Sequence, residues 1–135
     1  MRITGLYAAL STLLILILAA RVIAYRRSHK IGMGDGDDAE LRKRMRAHGN
    51  AIEYLPFGLL LLLVLELNQT LPLLLHAFGC LLLVARFAHA WGVSHHQGIS
   101  PGRMLGVVLT FLVLGAMALL LLWQFLLAAT FVPVR

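Results

Sequence analysis

Polar residues cut this chain into four long apolar runs, covering roughly 3–23, 52–67, 71–90 and 104–132. Each run is near the roughly 20 residues a helix needs to cross about 30 Å of hydrocarbon. The first lacks a basic leader beyond Arg2 and a clear small-residue cleavage site, so it reads as a span and not as a signal peptide. The second helix is expected to begin before its apolar part. Asp37 and Asp38 precede Ala39-Glu40-Leu41, a pattern that suits a helix N-terminus. From Glu40 to Glu53 only Gly49 interrupts a good helical sequence, so a polar extension should project from the membrane. Pro56 predicts a local kink. The three residues Asn68-Gln69-Thr70 make helices two and three an antiparallel hairpin. The predicted fold is all-α, a transmembrane four-helix bundle in a single domain over 1–135, with spans at approximately 3–25, 39–67, 71–92 and 103–132.

Composition supports this reading. Of the 135 residues, 60% are hydrophobic and only 13% charged, and the mean hydropathy is +0.85. A soluble domain of this length could not hide so much apolar surface. The net charge of +6 lies in connecting segments and not along an open face, so nucleic acid is not the expected partner. Ten of the twelve Lys and Arg residues fall on the side of the 32–36 and 94–102 connections. Only Arg2 and Arg135 fall on the other. The positive-inside rule then places loops 26–45 and 94–102 in the cytoplasm and both termini outside. Cys80 sits in an apolar run without metal-ligand spacing and reads as packing. Adjacent His95 and His96 have no carboxylate near them in sequence, and no metal is expected.

Ionisable residues within spans are functional candidates. Arg46, Asn50 and Glu53 are spaced i, i+4, i+7 and share one helix face. Such a face can hold a zwitterionic ligand. Arginine grips a carboxylate, glutamate accepts from an ammonium and asparagine binds an amide. The alternative is an internal salt-bridge network. Arg86 and His89 share a face of helix three. Hairpin geometry puts Glu53 and Arg86 at similar depth, so a Glu53–Arg86 contact is expected. Arg103, at the start of helix four, is either a topological anchor or a cation over the site mouth able to stabilise a thiolate.

The stretch RAHGNAIEYLP, from Arg46 to Pro56, resembles the signature of the MAPEG family, the membrane-associated proteins in eicosanoid and glutathione metabolism. The family pattern R-x-x-x-N-x-x-E, often followed by Y-x-P, is matched by Arg46, Asn50, Glu53, Tyr54 and Pro56. Arg86, His89 and Arg103 match its positions in helices three and four, and the neighbouring sequence resembles small bacterial inner-membrane members. The resemblance implies a homotrimer in a bacterial inner membrane, with glutathione as cosubstrate between subunits on the cytoplasmic side. It implies glutathione contacts from Arg26, Arg46, Asn50, Glu53, Tyr54, Arg86 and His89, and Arg103 as activator of the thiol towards a lipophilic small-molecule substrate from the membrane, with membrane lipids as further partners. Departures are Val93, where several catalytic members carry Tyr, and Met104, Val107 and Gly49, which depart from the prostaglandin synthase pattern. The expected activity is that of a glutathione transferase or peroxidase. The alternative is a binding or scaffold protein that has lost turnover.

Overall fold

The computed structural model describes residues 2–95 and 100–131, with side chains as far as 128. It contains four helices: α1 Arg2–His29, α2 Ala39–Leu67, α3 Pro72–His95 and α4 Pro101–Phe131. All four are long and apolar enough to cross a membrane. The outer part of the fourth run, His96 and Arg135 lie outside the described residues.

Each helix end has a local cause. Helix α1 closes with Lys30 at φ 55°. Ile31 N–H returns to the Arg26 carbonyl at 3.0 Å and Lys30 N–H to that of Arg27 at 3.4 Å, which makes a Schellman closure. Helix α2 ends the same way at Gln69, φ 57°, with Thr70 N–H bonded to the Leu65 carbonyl at 3.1 Å. Helices α3 and α4 both start on a proline, whose missing N–H costs nothing in the first turn. Helix α2 runs unbroken through Pro56. Its start is capped by Asp38, which accepts from Leu41 N–H at 2.8 Å and from the Tyr25 hydroxyl at 3.0 Å. Thus one carboxylate ties the end of α1 to the start of α2.

This loop predicts a pH response. The Leu41 amide, then the Tyr25 hydroxyl, hold the Asp38 carboxyl below its ordinary 3.8. The Arg42 guanidinium does the same for Asp35. Both groups therefore contribute fully above the ordinary carboxylate range, and their contribution is lost as pH falls through the depressed folded values. The pair's contribution to thermal stability in detergent should be full and constant between pH 7 and about 5. Below that range the Asp35→Asn/Asp38→Asn double variant should lose less stability with acid than the wild type. Equal acid sensitivity would show that these contacts contribute nothing.

Helices α2 and α3 form the centre. Helix α1 packs on both from one side and α4 on both from the other, and the backbones of α1 and α4 do not approach each other closely among the described residues. Small residues set the close crossings, as expected where packing must replace the hydrophobic effect between helices in lipid. The Tyr7 ring covers Gly79, and its hydroxyl donates to the His76 carbonyl at 3.0 Å. Leu82 and Leu114 close over Gly58. Gly106 lies against Ala85 and His89, and Gly92 against the backbone of Arg103. The buried core includes Leu18, Leu55, Leu62, Leu82 and Met117. Large apolar side chains such as Leu73, Leu119 and Phe125 stand exposed on the outer faces, where a bilayer would solvate them. Cys80 is exposed too, on α3, and so is not part of the interior packing.

At the α2–α3 turn end, Glu66 reaches the start of α1. Its carboxylate accepts from Ile3 N–H at 3.1 Å and Thr4 N–H at 2.9 Å. It thereby satisfies free donors at the N-terminus of α1, where negative charge is favoured. Nearby, Asn68 donates to Gln124 at 2.9 Å and Gln124 to Thr70 at 2.8 Å, linking this turn to α4.

Candidate functional site

The opposite end of the bundle holds a cleft of about 430 Å³ between α2, α3 and α4. Its lining brings together Arg46, Asn50, Glu53, His89, Val93 and Arg103. Five of these are candidates from the sequence, drawn from three helices. The α2 wall extends further than the motif, because Ala39, Arg42 and Lys43 continue the same stripe towards the N-terminus. Helical spacing carries that signal: positions 39, 42, 46, 50 and 53 recur every three or four residues.

The charges along the stripe are not equivalent. Arg42 is bound to Asp35 at 2.7 Å. Lys43 pairs with Glu40 at 3.4 Å, and Arg44 with the same carboxylate at 3.0 Å. By contrast, the exposed side chains of Arg46, Glu53 and Arg103 make no hydrogen bond or ion pair with any described residue. The cleft therefore presents two free guanidiniums and one free carboxylate. Arg103 is carried there by the first turn of α4. Its backbone N–H is capped by the buried Ser100 hydroxyl at 3.3 Å. The nearby Gly92 lets α3 lie against that turn.

Arg86 does not meet Glu53. It is buried, at 2% exposure, and lies behind the cleft wall. One Nη donates to Asn50 Oδ1. The other donates to the Gly106 carbonyl at 2.7 Å and to Thr110 Oγ1. The Thr110 hydroxyl in turn donates to the Gly106 carbonyl at 2.7 Å. The expected Glu53–Arg86 pair is thus replaced by an Asn50–Arg86 pair one helical turn away, and Glu53 is left to face the cleft. Three neutral oxygens hold the guanidinium, and no carboxylate pairs with it among the described residues. Burying a cation so is costly. Thr110 and the Gly106 carbonyl were not legible as site residues: a threonine in an apolar helix looks like filler, and a carbonyl has no sequence signature.

Two further candidates lie outside the cleft of the single chain. Tyr54 turns towards α4, with its ring 5.7 Å from that of Phe111 and the Arg86 guanidinium 5.2 Å from its centroid. Arg26 lies between α1 and α2, where its Nη2 donates to Met45 Sδ at 3.3 Å. His95 stacks on Trp91 with centroids 4.1 Å apart. Among the described residues, no three His, Cys, Asp or Glu side chains come together as metal ligands do.

Fold and site together define a polytopic membrane protein whose polar cleft sits at one end of a four-helix bundle. The MAPEG family model matches residues 4–123, and the chain belongs to that family. It is also 35% identical over 121 residues to a protein called inner membrane protein YecN in Escherichia coli K12, covering 90% of this chain and 91% of that one. A protein of the same name in an O6:H1 strain of E. coli matches equally well.

Proposed function

We propose that this protein binds glutathione in the cleft and activates its thiol towards lipophilic electrophiles, as a glutathione transferase or peroxidase of a bacterial inner membrane. The carrying observation is the set of unpartnered charges on one cleft: Arg46, Arg103 and Glu53. Glutathione carries the complementary set, with two carboxylates, one ammonium and one thiol. Arg46 grips a carboxylate through its fork, Glu53 receives the ammonium and Asn50 binds the peptide. Arg103 stands over the thiol and lowers its pKa electrostatically. The thiolate attacks an electrophilic carbon, the C–S bond forms, and the displaced electron pair leaves with the leaving group. With a lipid hydroperoxide, two glutathiones become one disulfide while the peroxide becomes alcohol and water. Membrane family membership and the inner-membrane relative support the location. The charge asymmetry supports a cleft opening to the cytoplasm. Arg26 and Tyr54, which lie outside the single-chain cleft, suit a site completed between subunits of a homotrimer.

The test is calorimetry of the detergent-purified protein with reduced glutathione, followed by turnover with a model electrophile. Arg103→Ala should keep binding within several-fold and slow conjugation at least about tenfold, a lower bound for losing one electrostatic stabiliser. Absence of binding by the wild type would overturn the reading.

A second reading has one observation in its favour. Val93 lines the cleft, so an alkyl group stands where several catalytic family members are expected to carry a tyrosine hydroxyl. A protein that binds the thiol without turning it over would show the calorimetric signal and no conjugation.

A further inference from the structure

Arg86 and Thr110 do not line the cleft, yet they constrain what it can bind. A guanidinium has five N–H donors and no acceptor. Arg86 therefore faces the oxygen end of the Asn50 amide. Arg86 is itself fixed from the far side by Thr110 and the Gly106 carbonyl, both on α4. Thr110 is fully buried, and its hydroxyl is committed in both directions: it accepts from Arg86 and donates to Gly106. Asn50 nevertheless lines the cleft. With its oxygen taken, the group it offers there is its NH2.

We propose that Arg86 and Thr110 are positioning residues that lock the Asn50 amide with its NH2 towards the cleft, so that the site selects a ligand with a carbonyl or carboxylate oxygen at that point. This rests on the reading of the cleft as a glutathione site and deepens it. The ligand oxygen is an acceptor met by Asn50, while Glu53 takes the donor end of the ligand. An amide free to flip would accept as readily as donate and would not discriminate. The locked amide makes the polarity of the site one-way: cationic groups and one N–H donor receive oxygens, and one carboxylate receives an ammonium.

Asn50→Asp separates the two polarities. It keeps an oxygen for Arg86 and replaces the donor at the cleft with an acceptor. Glutathione binding to this variant, measured by calorimetry on the detergent-purified protein, should weaken at least about tenfold, because one hydrogen bond is lost and two acceptors are left facing each other. Thr110→Val keeps the shape and removes the hydroxyl that anchors Arg86. It should weaken binding about five- to tenfold, while Thr110→Ser restores it to within about twofold. Thermal unfolding of each variant, followed in parallel, should stay close to the wild type. If Asn50→Asp binds as tightly as the wild type or more tightly, Asn50 presents an oxygen and the proposal is overturned while the glutathione reading stands. If Thr110→Val binds like the wild type, the positioning role is overturned, again without touching that reading. If the wild type itself binds no glutathione, the reading of the cleft falls and this proposal with it.

Discussion

Gly106→Ala is expected to destabilise the bundle by about 1–3 kcal/mol and to disrupt the cleft with it. A β-carbon at this position would lie 2.6 Å from His89 Cβ, 2.7 Å from the Ala85 carbonyl and 2.7 Å from His89 N. Two of these are backbone atoms of α3 and have no rotamer into which to retreat. Relief requires α3 and α4 to move apart, which draws the Gly106 carbonyl away from Arg86. His89 and Arg103, on opposite sides of the same crossing, would separate as well. Gly115→Ala on the same helix is the control. Nothing lies within 4 Å of that site, so the change should be neutral or stabilise by up to about 1 kcal/mol through helix propensity. Unfolding in detergent, with glutathione titration alongside, reads both effects. Equal stability for the two variants would mean that the α3–α4 crossing is looser than the structure places it.

The contrast between these glycines shows where sequence reading ends. Hydropathy and helical period made the four spans legible, because a bilayer imposes a strong pattern on composition and length. The i, i+4, i+7 spacing put Arg46, Asn50 and Glu53 on one face, and the cleft contains all three. Nothing in the spacing distinguishes Gly106, pressed on backbone, from Gly115, in open space. That difference is made by the crossing of two helices. Hairpin geometry sets the depth of Arg86 only to within a turn. It puts Arg86 level with Glu53, whereas the contact falls on Asn50, three residues and about 4.5 Å of helix away. A turn is enough to change the chemistry: Glu53 would have neutralised Arg86, and instead Arg86 is held by neutral oxygens while Glu53 faces the cleft. Glu66 carries no sequence signal for a related reason. Among its partners are backbone amides of α1, and backbone donors are invisible in a list of side chains.

Arg86 gives the second large effect, and two substitutions split it. Arg86→Ala should cost about 3 kcal/mol or more, because it leaves a cavity in the core. Arg86→Leu keeps much of the volume and removes the cation. A buried cation without a carboxylate partner is expensive to hold, so the leucine variant should unfold within about 1 kcal/mol of the wild type or above it. Both variants should lose glutathione binding by at least about tenfold, since neither orients Asn50 and neither leaves positive charge behind the cleft. Stability and binding then part company at one position. That separation is what a residue retained for the site requires, because packing alone would favour the leucine. If Arg86→Leu instead unfolds as readily as Arg86→Ala and still binds the tripeptide, the guanidinium serves the crossing of α3 and α4 and not the ligand.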